Sequence, residues 1–540
     1  MRDRTSRFRN RFMGGMLVLA LMAATIPSVA AAAPSEAACE NRNLNQIDKF
    51  LECVSGEDAS EHLRAFQDIA SANGDTRASG TPGYDLSVDY VVDLLEDAGL
   101  TVERQEFSFF SYEEGSSSLS LDAASIPTQT MTFSGSGAVS GGNIVAVDLD
   151  LGLGNSSSSG CEAADFVGLD FSGPDDIALM QRGACAFADK AINAEAAGAE
   201  AAIIFNQGNT PDRLGIINGT LGGPGVTIPV LDVAYADGVT LSTTSGVVDL
   251  AAVGITTETI TENVIADLPG KNTDNVVMAG AHLDSVFEGP GVQDNGSGSA
   301  AILTVALALA NNKKYVPENS LRFAWWGAEE SGLIGSFEYF TNAEFGLLNT
   351  PEEVDKIAAY LNFDMIASPN FVYGVYDADQ STFPAPVPVP NGSAALEDLF
   401  EAYYTIEGVP YDDSEFSGRS DYQVFILLDI PASGLFTGAE VIKTPEQEAI
   451  WGGTAGDQFD PCYHLACDTF DNVGQDPLDV NVDAVAYAVY NLASTTEAVN
   501  GVPGVEPKGI TPDEVVFDGP QGTFAGGGGG LSGGHSHPTE

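Results

Sequence analysis

Alternating apolar strands and helices in the C-terminal half of this chain constrain its fold more than any other sequence feature. A strand at Val276–Ala281 precedes a helix through Ala300–Ala310, and a strand at Leu321–Trp326 precedes a helix near Val354–Tyr360. A third strand then runs into Asp364. This alternation predicts an α/β fold with a mixed, mostly parallel sheet flanked by helices. Open sheets of this kind bind their ligands beyond the carboxyl ends of the strands.

The remaining segments differ from this region in composition. Arginines, an apolar run and a group of small residues predict a secretory signal peptide over residues 1–33. Residues 112–140 are rich in serine and glycine, which predicts a domain boundary, and the strands that follow indicate a small, separate β-rich lobe. The expected segments are therefore the signal peptide, the N-terminal part of the main domain (34–125), the inserted lobe (126–255), the rest of the main domain (256–500) and a Gly-rich flexible tail (501–540).

The charge of the chain excludes several partners. Its 540 residues contain 77 acidic and 21 basic side chains, which gives a formal net charge of −56. Nucleic acid is excluded as a partner because the two polyanions would repel each other. We expect a secreted monomer that has no membrane contact after removal of the signal peptide. So acidic a chain also allows a calcium ion, but the sequence locates no site for one.

Three pairs of neighbouring cysteines indicate an oxidising compartment. They are Cys39 with Cys53, Cys161 with Cys185, and Cys462 with Cys467. Six cysteines permit 15 connectivities, and pairing between neighbours is the simplest because each bond then closes a short loop. A thiolate metal site at Cys462 and Cys467 is the alternative interpretation.

Histidines and carboxylates follow the predicted strands. Of the five histidines in the chain, His282 and His464 lie in the α/β region, and Asp284 follows His282 closely enough to orient its ring. Further carboxylates lie in a Gly-rich turn at a helix start and at two other strand ends: Asp294, Glu329, Glu330 and Asp364. Acidic residues crowded at one edge repel one another unless cations collect there. Two histidines with several carboxylates and no required thiolate favour zinc, and the number of carboxylates suggests two ions that share a ligand.

These motifs resemble one enzyme family closely. The matching segments are Gly280–Ser285, Gln293–Gly298, Trp326–Leu333, Asn362–Met365, Gly418–Tyr422 and Pro461–Asp468. Together and in this order they resemble the catalytic domain of the secreted bacterial leucyl-type di-zinc aminopeptidases, a family of co-catalytic metallopeptidases. The resemblance implies the zinc aminopeptidase fold and an enzyme that releases N-terminal, leucine-like residues from peptides with a free N-terminus.

The same resemblance implies a role for each site residue. His282 and Asp364 would hold one zinc ion, Glu330 and His464 the other, and Asp294 would bridge the two ions. Glu329 would act as the general base toward a water that bridges the ions, and Tyr463 would donate its hydroxyl to the developing oxyanion. Glu329, Asp364 and the backbone of Arg419 would capture the α-ammonium group of the substrate, and Asp284 would hold His282 in place.

A second resemblance concerns the inserted lobe. Arg182–Phe187, Lys190 and Ala196–Ala199 are similar to the signature of protease-associated (PA) domains, which occur in secreted peptidases and also in receptors. The alternatives are therefore a noncatalytic PA-containing binding protein or a carboxypeptidase of related architecture. A single-zinc glutaminyl cyclase shares the scaffold as well. A decayed enzyme would be expected to lack ligands, whereas all five implied ligands and Glu329 are present.

Overall fold

The computed structural model describes residues 34–521, except residues 211–212, 218, 342–350, 506, 509–514 and 518. The predicted signal peptide, and the part of the predicted tail beyond residue 521, lie outside the described residues. None of the helices in the described part of the chain combines the length and apolar character needed to cross a membrane.

The secondary structure follows the predicted alternation. The strands are β1 (Thr101–Leu121), β2 (Ala124–Ile126), β3 (Gln129–Thr130), β4 (Gly137–Ala146), β5 (Asp176–Gln181), β6 (Ala201–Phe205), β7 (Val230–Val233), β8 (Val248–Leu268), β9 (Asn272–His282), β10 (Asn319–Trp326), β11 (Ile357–Phe363), β12 (Gly374–Tyr376), β13 (Asp412–Ser414) and β14 (Ala432–Phe436). The α-helices are α1 (Glu36–Glu40), α2 (Ile47–Leu51), α3 (Gly56–Ala72), α4 (Pro82–Asp97), α5 (Phe187–Ala197), α6 (Tyr235–Thr243), α7 (Gly296–Ala310), α8 (Ile334–Thr341), α9 (Pro351–Val354), α10 (Ser393–Glu407), α11 (Tyr422–Leu427), α12 (Pro445–Trp451), α13 (Gln475–Ser494) and α14 (Glu497–Asn500).

The main sheet is mixed and mostly parallel, which confirms the predicted fold class. Its strand order is β13-β12-β14-β11-β9-β10-β8. The central pairs β10–β9, β9–β11 and β11–β14 are parallel, as is the pair β12–β13. The pairs β8–β10 and β12–β14 are antiparallel. Parallel central strands are buried on both faces, and β11 is buried at every position.

Helix α3 illustrates how the sequence fixes the packing of one face of the sheet. Its start is capped by Ser55, whose hydroxyl accepts a hydrogen bond from the backbone N–H of Asp58. Leu63, Phe66 and Ala70 recur at helical spacing and are fully buried, the first two in the largest core cluster. Burial of the Leu63 and Phe66 side chains contributes about 1.5–3 kcal/mol each.

The inserted lobe has its own sheet and its own cores. Strands β4, β5, β6 and β7 are parallel, and β3 pairs with β7 in the antiparallel sense. Two apolar clusters, separate from the main core, fill the lobe on either side of this sheet. The long antiparallel pair of β1 and β8 extends from the main sheet to the lobe.

The Ser-rich segment after residue 112 forms part of β1, which continues to Leu121 by pairing with β8. One local expectation is wrong. The helix predicted near Val354–Tyr360 is instead the short helix α9 followed by β11. A buried parallel strand is apolar without alternation, so its sequence pattern cannot be distinguished from a buried helix segment.

All three disulfides join the neighbouring cysteines. The bonds are Cys39–Cys53, Cys161–Cys185 and Cys462–Cys467. The alternative of a thiolate metal site at Cys462 and Cys467 is therefore wrong for this structure.

Candidate metal centre

Three parallel strands deliver the predicted residues to one edge of the main sheet. His282 is the last residue of β9 and lies beside Trp326, the last residue of β10. Glu329 and Glu330 follow β10, and Asp364 follows β11 on the other side of β9. Since the carboxyl ends of parallel strands meet at the same edge, the order of the sheet alone brings these side chains together.

The turn that carries Asp294 is held against β11 by helix α7. Asn295 caps this helix by accepting a hydrogen bond from the N–H of Gly298 at 3.0 Å, and it also accepts one from the N–H of Met365 at 3.1 Å. Gly298 lies so close to β11 that a Cβ atom there would be 2.0 Å from the carbonyl oxygen of Phe363. The Gly-rich sequence after Asp294 therefore permits a close approach that places this carboxylate near His282.

His282 faces three carboxylates through one ring nitrogen. Its Nε2 atom lies 3.3 Å from Asp364 Oδ1 and 3.4 Å from Asp294 Oδ1. Glu329 Oε2 is further away, at 3.9 Å from the same nitrogen. The other ring nitrogen, Nδ1, lies 3.1 Å from the backbone oxygen of Asp284 and 3.6 Å from its carboxylate. Asp284 is therefore placed to fix the orientation of the ring.

His464 faces the opposite side of Asp294. Its Nε2 atom lies 3.3 Å from Asp294 Oδ2 and 3.1 Å from Glu330 Oε2. The two oxygens of Asp294 thus point to different histidines, which is the arrangement expected of a bridging ligand. We call the two histidines and the three carboxylates that face them the metal-centre cluster: His282, Asp294, Glu330, Asp364 and His464.

The electrostatics of this cluster fit a site for cations. Burial raises the pKa of Glu329, and the carboxylates of Asp364 and Asp421 raise it further, to well above the usual value. Burial opposes the charged form of His282, but the carboxylates of Glu329 and Asp364 raise its pKa well above the usual value. Glu330 Oε1 is buried and accepts no hydrogen bond. A crowded set of oxygen and nitrogen donors with an unpartnered oxygen is the chemistry that zinc binding requires.

Arg419, Tyr463 and Ser420 surround the cluster. The Nη2 atom of Arg419 donates to the Tyr463 hydroxyl at 3.0 Å, and Nη1 donates to Glu440 at 3.2 Å. Ser420 donates to Asp364 Oδ2 at 2.6 Å. Burial raises the pKa of Tyr463 well above the usual value, so its hydroxyl keeps its proton and can act as a donor. The structure thus brings together every residue that the sequence predicts for the site.

Two buried residues support the site although neither is among the predicted site residues: Arg77 carries no sequence signal, and Asp468 is the last residue of the matching segment Pro461–Asp468. Arg77 is fully buried, and its guanidinium donates to the carbonyl oxygens of Leu283, Pro290 and Gly291. Asp468 accepts hydrogen bonds from the N–H groups of Gln293 and Asp294 at 2.9 and 3.0 Å. Both contacts join segments distant in sequence, so only the folded chain reveals them.

A cavity of about 1230 Å³ opens above the cluster and is lined by both parts of the molecule. The inserted lobe and the β1–β8 arm contribute Tyr112, Phe133 and Pro224, among others, to its wall. The main domain contributes apolar side chains that include Met365 and Phe436. A ligand bound at the metal-centre cluster would therefore lie between the sheet edge and the lobe.

Sequence comparisons match both parts of the chain to known families. Residues 263–489 match peptidase family M28, and residues 141–241 match the PA domain. An aminopeptidase of Pseudomonas aeruginosa is 45% identical over 457 residues, which is 83% of each chain. Leucine aminopeptidase 2 of Trichophyton rubrum is 41% identical over 362 residues, which is 66% of this chain and 69% of its own.

Solved structures resemble the whole fold. The aminopeptidase from Aneurinibacillus sp. strain AM-1 aligns with a TM-score of 0.66 and 26% identity, over 86% of this chain and 98% of its own. A zinc aminopeptidase from Bacillus subtilis aligns over the same shares with a TM-score of 0.55 and 22% identity. The similarity therefore extends over the main domain and the lobe together.

Proposed function

This chain belongs to peptidase family M28 and is a zinc-dependent aminopeptidase. We propose that its metal-centre cluster holds two zinc ions, and that the enzyme releases hydrophobic N-terminal residues from peptides. The single observation that carries this proposal is the position of Asp294. Its two carboxylate oxygens lie 3.4 and 3.3 Å from the Nε2 atoms of His282 and His464. One carboxylate between two imidazoles supports a pair of ions with a shared ligand.

The donor set determines how the ions would be held. Asp364 and His282 would bind the first ion, Glu330 and His464 the second, and Asp294 both. Zinc bound there supplies Lewis acidity, which lowers the pKa of water and polarises a peptide carbonyl. Asp284 keeps Nδ1 of His282 occupied, so that Nε2 faces the cluster.

Glu329 is the group placed to move a proton. It lies beside the cluster but further from His282 than either Asp294 or Asp364. Its backbone N–H donates to Asp284 Oδ1 at 3.2 Å, and this contact fixes the backbone position from which the Glu329 side chain extends. Glu329 would take a proton from the attacking water and return it to the leaving amine.

Tyr463 is placed to stabilise the oxyanion. Its hydroxyl accepts a hydrogen bond from Arg419 and keeps its own proton for a second partner. A donor aimed at the position of the developing charge stabilises the transition state more than the substrate.

The charges in the cavity favour an aminopeptidase over a carboxypeptidase. Among the described residues that line it, Arg419 is the only lysine or arginine, and its guanidinium already contacts Glu440 and Tyr463. Glu329 and Asp364 line the same cavity and suit an α-ammonium group. Met365, Phe436 and Phe337 supply apolar walls, which supports a preference for hydrophobic, leucine-like residues.

The disulfides support secretion. All three bonds lie in the described part of the chain, and such bonds persist in oxidising compartments. We therefore propose that the predicted signal peptide directs export and that the mature protein acts outside the cell.

Hydrolysis of leucine p-nitroanilide and its N-acetylated analogue tests the proposed function. The free amine should be cleaved and the acetylated analogue should not, because the acyl group removes the positive charge that Glu329 and Asp364 would bind. A chelator should abolish cleavage, and added zinc should restore it. Equal cleavage of the two substrates would contradict the exopeptidase mechanism.

A further inference from the structure

A second group of acidic side chains lies at the ends of β12 and β13, outside the metal-centre cluster. Asp377 follows β12 directly, and Asp413 lies within the parallel strand β13. Glu397 and Glu401 are one turn apart on helix α10, and Asp379 lies in the loop after β12. We call these five residues the second carboxylate cluster.

The five carboxylates converge on one small region. One oxygen each from Asp377, Asp379 and Glu397 lie within 4.8 Å of one another. The same holds for one oxygen each from Glu397, Glu401 and Asp413. Glu397 belongs to both groups, so the two triads form one continuous set of oxygen donors.

One oxygen in this cluster is buried and has no partner. The Asp413 residue is 1% exposed, and its Oδ1 atom makes no hydrogen bond. The other oxygen, Oδ2, accepts hydrogen bonds from the hydroxyls of Ser381 and Thr382. These two contacts orient the carboxylate, and a buried oxygen without a donor is destabilising unless it meets a cation or a proton.

Backbone N–H groups hold the neighbouring carboxylates in place. Asp377 accepts hydrogen bonds from the N–H groups of residues 381–383. Glu397 Oε2 accepts from the N–H groups of Ala378 and Asp379, each at 3.0 Å. The donors are therefore fixed before any ligand binds, which lowers the entropy cost of binding.

No positive side chain balances the cluster. Within the described ranges, no lysine, arginine or histidine nitrogen lies within 4.0 Å of these five carboxylates. Burial, together with the neighbouring acids, raises the pKa of Glu397 to about 9 and that of Glu401 to about 7. Like charges held this close favour the capture of a cation.

We propose that the second carboxylate cluster binds a divalent cation, and that this cation is calcium. Every donor is a carboxylate oxygen, and hard cations such as calcium prefer oxygen ligands. Zinc is disfavoured because the cluster offers neither imidazole nor thiolate. One of the ligands lies in β13, two follow β12 and two lie on helix α10, so no linear motif marks the site.

The position of the cluster links the cation to the cavity wall. Strand β13 continues into the loop that carries Arg419 and Ser420, which contact Tyr463 and Asp364 respectively. A cation that joins Asp413 to helix α10 would hold this loop against the sheet. We therefore expect calcium to stabilise the fold around the cavity without entering the reaction.

Calcium titration of the full-length, zinc-loaded protein tests this proposal. Calorimetry should detect binding at about 10⁻⁴ M or tighter. Millimolar calcium should then raise Tm by about 3 °C or more. Asp413→Asn should weaken calcium binding at least tenfold and abolish the Tm shift. Without calcium it should be no less stable than the wild type, because it removes one of the mutually repelling charges. Asp429→Asn, the same change at an exposed site, should bind calcium as the wild type does.

Two results would overturn the proposal. One is the absence of both binding heat and a Tm shift in the wild type at 10 mM calcium, a concentration about a hundred times the expected Kd. The other is an undiminished calcium response in Asp413→Asn. If that variant does not fold, Glu397→Gln gives the same test through a second ligand. Neither readout depends on peptide hydrolysis, so the outcome is independent of the proposed function.

Discussion

The metal-centre cluster and the second carboxylate cluster lie at strand ends of the same sheet, yet their donors differ. The first combines two histidines with carboxylates, and Asp294 lies between the two imidazoles. The second contains carboxylates alone, with Glu397 shared by both triads. One sheet can therefore present donor sets for two different classes of metal, and the difference depends on whether a strand or loop contributes imidazole nitrogen.

Supporting contacts also differ between the two clusters. In the metal centre, Asp284 and Ser420 contact the ligands His282 and Asp364 through side chains or carbonyl groups. In the second cluster, most supporting contacts are backbone N–H groups that donate to Asp377 and Glu397. Zinc ligands need fixed directions, whereas calcium accepts varied geometry, so the two types of support match the two ions.

The largest effect is expected from Glu329→Gln. This change removes the proposed base but leaves every zinc ligand, so kcat should fall by about 10³-fold or more while zinc content stays unchanged. Steady-state kinetics with leucine p-nitroanilide and metal analysis check both parts. Glu288→Gln is the matched control, because this exposed residue lines the same cavity, and its kcat should remain within about twofold of the wild type. Loss of zinc in Glu329→Gln would show that this carboxylate is a ligand.

Tyr463→Phe should have the next largest effect. Loss of one oxyanion donor should lower kcat by about 10²-fold with little change in KM. Stopped assays over a range of substrate concentrations separate the two parameters. An equal loss in Tyr235→Phe, which changes a tyrosine of the lobe, would contradict a specific role for the Tyr463 hydroxyl.

Glu401→Gln tests whether the two clusters bind their metals independently. It should weaken calcium binding by about tenfold, because one of the carboxylate ligands is lost. Zinc content and kcat at saturating calcium should equal those of the wild type. Calorimetry and metal analysis check these expectations, and a loss of zinc in this variant would show that the clusters are not independent.

Asp232→Asn tests whether a buried acid outside both clusters is protonated in the folded protein. Asp232 is fully buried in the lobe, and burial raises its pKa to about 8. The folded state therefore keeps a proton that the unfolded state has lost, so stability declines as pH rises from about 4 to 8. At pH 8 the variant should be more stable than the wild type by up to about 5 kcal/mol, and at pH 4 the two should be nearly equal.

Thermal unfolding at the two pH values measures this difference. The gain at pH 8 corresponds to a Tm increase of about 10–20 °C if the variant gains the full amount. Asp148→Asn, an exposed change in the same lobe, is the control and should show no such pH dependence. A Tm of Asp232→Asn below that of the wild type at pH 8 would mean that Asp232 is charged in the folded protein.

The sequence predicts the metal-centre cluster because His282, Glu330 and Asp364 lie at or just after strand ends, whereas Asp294 and His464 lie in turns that the family motifs mark. His282 ends β9 and Asp364 follows β11, so strand order alone places them together. The α/β fold is predictable for the same reason, since alternation of strand and helix is a local pattern. The roles of these residues stay predictions until the variants are measured.

The second carboxylate cluster and the support from Arg77 could not be predicted in this way. Asp413 and Glu397 approach each other only because β13 and α10 pack on the same part of the sheet. Arg77 reaches three carbonyl groups more than 200 residues away in sequence. Contacts of this kind depend on tertiary packing, and a single sequence contains no periodic signal for them.

Metal analysis of the mature protein, after equilibration with zinc and calcium and removal of the free ions, tests the central comparison most directly. The wild type should retain about two zinc ions and at least one calcium ion per chain. His464→Ala should lose zinc and keep calcium, whereas Asp413→Asn should lose calcium and keep zinc. Loss of both metals in either variant, or zinc bound by the second carboxylate cluster, would contradict the assignment of separate sites for separate metals.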